Sequence, residues 1–158
     1  MGFGADIKGN AGPTTCTTKA GLAEGTAAAT IKTLAPNGAG TDFAIDGIGY
    51  HKADTDSIAV TAHPVQAADT KCMYLVQIDS AGVLSTKKGE EVLTVDLTAG
   101  KTALQTPDPD DNRCPLGDYK IATVAVTYTN GTTDMSAAGI TTTFRDFIGG
   151  MPLAPLTS

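Results

Sequence analysis

Residues 114–147 read CPLGDYKIATVAVTYTNGTTDMSAAGITTTFRDF, and the fold class turns on them. Ile121, Thr123, Ala125, Thr127 and Thr129 alternate with Ala122, Val124, Val126 and Tyr128. That is the period-two pattern of a strand with one apolar and one hydroxyl-bearing face. The run is rich in β-branched and aromatic residues, which fit a pleated surface better than a helix. Asn130-Gly131 then breaks it, as this pair does where the chain needs a positive φ. Residues 140–144 resume the extended pattern. The stretch therefore predicts two long β segments joined by a loop and preceded by a Pro/Asp-rich corner at 107–115.

Working outward, the same signals recur. FAIDGIGYHK (43–52) has Asp46-Gly47 between two short apolar runs, the strongest short-range hairpin signal. SIAVTAH (57–63) reads as a strand closed by Pro64. MYLVQID (73–79) and VLST (83–86) flank Ser80-Ala81-Gly82, a hairpin with a three-residue loop. VLTVDL (92–97) predicts a further strand, and TAAATIKT (26–33) fits either a short strand or one weak helical turn. Seven to nine short antiparallel strands at roughly ten-residue spacing predict an all-β chain, a β-sandwich or partly closed barrel. The Gly/Thr-rich residues 1–25 read as an extended N-terminal arm, 26–147 as the β domain, and 148–158, with two prolines and a Gly pair, as an extended C-terminal arm.

At 158 residues the chain predicts one domain, with a formal net charge of −6. An acidic surface lacks the Lys/Arg density that neutralises phosphates, so neither nucleic acid nor an anionic membrane is an expected partner. About a third of the apolar residues are alanine, there is no Trp, and Leu, Ile, Val and Phe are about a fifth of the chain. That is close to the composition at which chains stop folding, because alanine buries far less than the ~1.5–3 kcal/mol of a Val or Leu side chain. Such a core is thinly filled and gains from association. No basic-then-apolar leader and no long apolar run is present, and Asp6 stands where a myristoylation signal wants Ser or Thr. The expectation is synthesis in the cytosol with reduced thiols.

No catalytic, metal or cofactor set emerges. Cys16, Cys72 and Cys114 are odd in number and widely spaced, neither a disulfide framework nor a zinc pattern. Cys72 and Cys114 read as small strand-edge residues, with a thiol nucleophile beside His51 or His63 as the rival. Asp108, Asp110 and Asn112 open like a calcium loop, but Arg113 replaces its Gly and Tyr119 its closing Glu. Asp54 and Asp56 read as turn residues that cap local N–H groups. G-x-S-x-G, Walker and dinucleotide patterns are absent from the sequence. Tyr50, Tyr74, Tyr119 and Tyr128 lie in strand-like runs and read as core or cross-strand partners, with an exposed sugar platform as the alternative.

The order of four pieces is familiar: FAIDGIGYHKADTDSIAV, YLVQIDSAGVLSTKKG, CPLGDYKIATVAV and YTNGTTDMSAAGITTTFRDF. Over roughly residues 40–147 this resembles the cement or decoration proteins of tailed bacteriophage heads and related head-fibre modules. The resemblance implies a β-rich, non-enzymatic domain on the outside of an assembled capsid. It would bind the major capsid protein and lock neighbouring capsomers, often as a trimer, so that its place is the virion exterior. Many weak contacts multiplied by symmetry suit such a role. On physical grounds the arms would supply apolar contacts, through Phe3 and Ile7 at one end and Ile148, Met151, Leu153 and Leu156 at the other. The alternative is a receptor- or glycan-binding module of a phage tail or head fibre, although no heptads for a coiled stalk occur. A small thiol hydrolase and a secreted immunoglobulin-like adhesin are weaker rivals.

Overall fold

A computed structural model describes residues 12–149. Among them eleven strands and one short helix follow in order. These are β1 (Thr15–Cys16), β2 (Leu22–Glu24), β3 (Thr30–Thr33), β4 (Thr41–Ile45), β5 (Ile48–Lys52) and β6 (Thr55–Ala59). Then come β7 (Thr70–Ile78), β8 (Leu84–Lys88), β9 (Val92–Leu93), α1 (Thr94–Thr98), β10 (Cys114–Thr123) and β11 (Ile140–Asp146). They form three antiparallel sheets, ordered β11-β10-β7-β8 with β9 also on β7, β1-β4-β5, and β2-β3-β6. The architecture is nearly all-β and sandwich-like, and the described strands close no barrel.

The largest sheet is the platform. From β7 it sends Cys72, Tyr74, Val76 and Ile78 to one face, and from β10 Cys114, Leu116, Tyr119 and Ile121. Cys16, Leu22, Ile31, Phe43 and Ile45 of the two smaller sheets pack against that face. The spacing in β10 changes parity between Leu116 and Tyr119 because the register with β7 shifts between Pro115 and Gly117. An extra residue in one strand turns two consecutive side chains to the same face. Gly117 takes the second of those positions, where a Cβ would lie 2.3 Å from the Arg145 carbonyl oxygen and 2.5 Å from Leu22 Cδ1.

The opposite face of β7 carries a smaller cluster of Met73, Val92, Leu97 and Leu104. Beside it Asp118, 1 % exposed, receives the Arg145 guanidinium in a two-pronged pair and the Thr106 hydroxyl. Asp110 is tied to the same face, accepting from the Lys87 ammonium at 2.9 Å while its N–H donates to Gln77 Oε1 at 2.9 Å.

Both predicted hairpins are present. Asp46 (φ 51°) and Gly47 (φ 79°) form the two-residue turn of β4–β5, the twist-matched geometry that favours this pair. Asp79 closes the β7–β8 turn by accepting the N–H groups of Ala81 and Val83.

Four expectations need correction. Residues 15–24 are not arm but core: β1 and β2 lie in two different sheets, and Cys16, Ala20 and Leu22 are buried. Their small side chains are what allow the close approach, for a Cβ on Gly21 (φ +64°) would meet the Leu34 carbonyl oxygen. The alternating run at 121–129 is strand only as far as Thr123; β10 begins instead at Cys114, inside the supposed corner. Ala125 turns away at φ 54° with its N–H on Asp69 Oδ1, and Tyr128 returns through a single bridge to Gln66. Residues 92–97 split into β9 and α1, where the Thr94 N–H bonds to the Asp69 carbonyl and the helical turn brings Leu97 into the smaller cluster. Cys72 and Cys114 occupy the two central strands and are fully buried, not edge residues.

Candidate functional site

The side chains that carried chemical readings in the sequence are spoken for. Burial pushes the thiols of Cys72 and Cys114 up to about 12, and that of Cys16 up to about 11. None is a thiolate at neutral pH, the form a nucleophile requires. His51 is exposed and places Nδ1 2.7 Å from Asp42 Oδ1. His63 is half-buried with Nε2 3.0 Å from the Thr86 carbonyl oxygen, and desolvation holds its titration below the ordinary imidazole range. Asp54 accepts the Ala35 N–H at 2.8 Å and Asp56, within β6, the Thr26 N–H at 2.9 Å, so they tie distant segments together instead of capping a local turn. The acidic corner is folded onto the sheet, since both Asp110 carboxylate oxygens are engaged by Lys87 and Gln77; these bonds hold its carboxyl below the usual range.

The aromatic residues point inward. Tyr74 stacks on Tyr119 across β7 and β10, ring centroids 5.2 Å apart, and meets the Tyr128 ring edge-on at 5.9 Å. All three are wholly buried. The Tyr119 and Tyr128 hydroxyls both donate to Asn130 Oδ1, at 2.7 and 2.9 Å. Asn130 Nδ2 in turn donates to the Thr61 carbonyl at 2.8 Å and to Thr86 Oγ1 at 3.1 Å. The Tyr74 hydroxyl donates to Gln66 Oε1 at 3.2 Å, and Gln66 Nε2 reaches the Ile121 carbonyl. Buried polar groups of this kind are stable only when so satisfied. Tyr50 packs half-buried on Phe43. The cross-strand role holds, and the buried three offer no platform to a sugar. Sequence reasoning missed Asn130 and Gln66 as hubs, because an Asn-Gly pair signals a turn and says nothing of burial.

What remains is the surface around Ile148. At the C-terminal end Phe147 is buried, its N–H bonds to the Leu116 carbonyl at 2.9 Å, and the Arg145 guanidinium lies 5.3 Å over its ring. Two residues on, the Gly149 N–H bonds to the Cys16 carbonyl at 2.9 Å. Between these pins Ile148 faces outward, 56 % exposed. At the other end Pro13 accepts the Gly47 N–H at 3.3 Å. Of the predicted contact residues, Ile148 is placed on this surface; Phe3, Ile7, Met151, Leu153 and Leu156 fall outside the described residues.

The concavities found among the described residues are shallow and open to solvent. One, lined by Lys88, Gly89, Glu90, Gln105, Thr106, Pro107 and Asp108, lies where the 105–108 segment crosses the end of β8. No protein-family model matches the chain, and no curated protein or solved structure shows significant similarity to it.

Proposed function

We propose that this protein is a non-enzymatic structural protein that docks on the outer surface of a bacteriophage head and cements neighbouring capsomers. The observation that carries the proposal is the exit at Phe147–Ile148–Gly149. Main-chain bonds to Leu116 and Cys16 tie this point to two different sheets, while its first large apolar side chain faces out. The sequence goes on to Met151, Leu153 and Leu156, the apolar residues proposed to make the external contact, and an ordered base beside them reduces the entropy lost on docking. The sealed tyrosine core and the buried thiols suit a scaffold more than a catalyst. Self-association, with a trimer as the expected state, would multiply a modest single contact. The major capsid protein is the proposed partner, and the acidic chain is matched to neither nucleic acid nor membrane.

Deletion of residues 150–158 tests this while leaving both pins in place. With empty heads assembled without the protein, the full chain is expected to co-sediment saturably, and the shortened chain to bind at least about tenfold more weakly, roughly 1.4 kcal/mol. Equal binding of the two chains would remove the tail from the interface.

A further inference from the structure

The chain holds the dipeptide Asn-Gly twice, at 37–38 and at 130–131. Asn-Gly is the pair in which an asparagine amide is most easily lost, because glycine has no side chain to block its nitrogen from the carboxamide carbon. The reaction needs two further conditions. The asparagine side chain has to turn toward the following main-chain nitrogen, and water has to reach the product. The two pairs stand in opposite circumstances.

Asn37 lies in the turn that joins β3 to β4, where residues 36–39 are all exposed. A Cβ on Gly38 would meet no described atom within 4 Å, so no described neighbour crowds the turn. The Gly38 N–H donates to the Ala35 carbonyl at 2.9 Å, and this exposed bond has to open before the nitrogen attacks. Its net worth slows the reaction by no more than about tenfold. The Ala39 N–H donates to Asn37 Oδ1 at 3.0 Å. Negative charge develops on that oxygen as the nitrogen adds, so the bond favours attack. Asn130, by contrast, is 0 % exposed. Its carboxamide bonds to the Tyr119 and Tyr128 hydroxyls, the Thr61 carbonyl and Thr86 Oγ1. Turning it toward Gly131 breaks these bonds and strands two buried hydroxyls, so its reaction waits on a local opening of the core.

We propose that Asn37 is a site of spontaneous covalent modification in the folded protein, and that Asn130 is shielded from the same chemistry. The Gly38 nitrogen gives its proton to solvent base and bonds to Asn37 Cγ. The Cγ–Nδ2 bond breaks, and Nδ2 takes a proton from water and leaves as ammonia. Water then opens the succinimide at either carbonyl, giving aspartate, or isoaspartate with the main chain rerouted through the side chain. The net change is amide plus water to carboxylic acid plus ammonia. Each event adds one negative charge to a chain of formal net charge −6. As isoaspartate it also adds one carbon to the link between the β2-β3-β6 and β1-β4-β5 sheets, which the exposed turn takes up without disturbing either. This assignment is independent of the head-binding proposal.

Residue-resolved peptide mapping by mass spectrometry tests it, on the full chain aged at mildly alkaline pH in buffer and in guanidinium chloride. In denaturant both side chains are released, and Asn37 and Asn130 should convert at comparable rates. In the folded chain Asn37 is expected to stay within about tenfold of its unfolded rate, and Asn130 to fall at least about 100-fold below its own. The Asn37→Gln variant, whose longer side chain closes the ring far more slowly, should lose the acidic species that the aged wild type accumulates on isoelectric focusing. Equal rates at the two asparagines in the folded chain, whether both fast or both suppressed, would overturn the assignment. So would an undiminished acidic series in Asn37→Gln.

Discussion

Asn130 holds two tyrosine hydroxyls with one oxygen, and both tyrosines are wholly buried. Replacing it with alanine strands two donors at ~1–3 kcal/mol each, so Asn130→Ala is expected to lower unfolding free energy by about 3 kcal/mol or more in urea titration. Tyr128→Phe, which removes one donor and leaves the acceptor to Tyr119, should lose only about 1 kcal/mol. Similar losses in the two variants would mean that Asn130 is not the hub. His63 makes a pH prediction. Its folded titration is lowered from the ordinary value of 6.5, chiefly by desolvation. The neutral ring is thus favoured by folding, and its contribution is complete above about 6.5 and is lost as pH falls through the lowered folded value. Between pH 7 and pH 5 the wild-type Tm should fall more than that of His63→Gln, a comparison that cancels other titrating groups. Parallel Tm curves would contradict it.

At the scale of elements, the bulge in β10 decides how the platform meets the smaller sheets. Gly117→Ala would drive a Cβ into main chain at 2.3 Å and into Leu22. Main chain has no rotamer to escape into, so the loss should reach about 2–3 kcal/mol, read as a lower denaturation midpoint at unchanged slope. A neutral substitution would mean that β10 carries no such bulge. This bulge also explains what the sequence concealed. The hairpins at Asp46-Gly47 and Ser80-Ala81-Gly82 were legible because their turn chemistry is local. The phase of β10 was not, since two neighbouring residues, Leu116 and Gly117, share a face and spoil the alternation where the strand lies. The cleaner alternation past Thr123 belongs to a segment that Asp69 pulls off the sheet. β1 and β2 were hidden for another reason: Cys16 and Ala20 are core residues through close approach, which composition does not report. Of the candidate contact surface only its apolar residue types were legible, because the two pins at Phe147 and Gly149 are main-chain bonds to distant strands.

At the scale of the whole molecule, a short supply of large apolar side chains is offset in two ways. Two smaller sheets pack on one face of the β7–β10 platform, and a satisfied tyrosine–asparagine–glutamine network fills volume that leucines would otherwise take. The result is a core that encloses its aromatic hydroxyls and leaves Ile148 exposed at the surface. The most direct measurement is a titration of the full chain onto empty phage heads assembled without it, followed by sedimentation and quantification of bound copies. Saturation at a fixed number of copies per head, undiminished by excess free sugar, is the predicted result. A bound amount that never rises above that of an unrelated acidic protein would contradict the account.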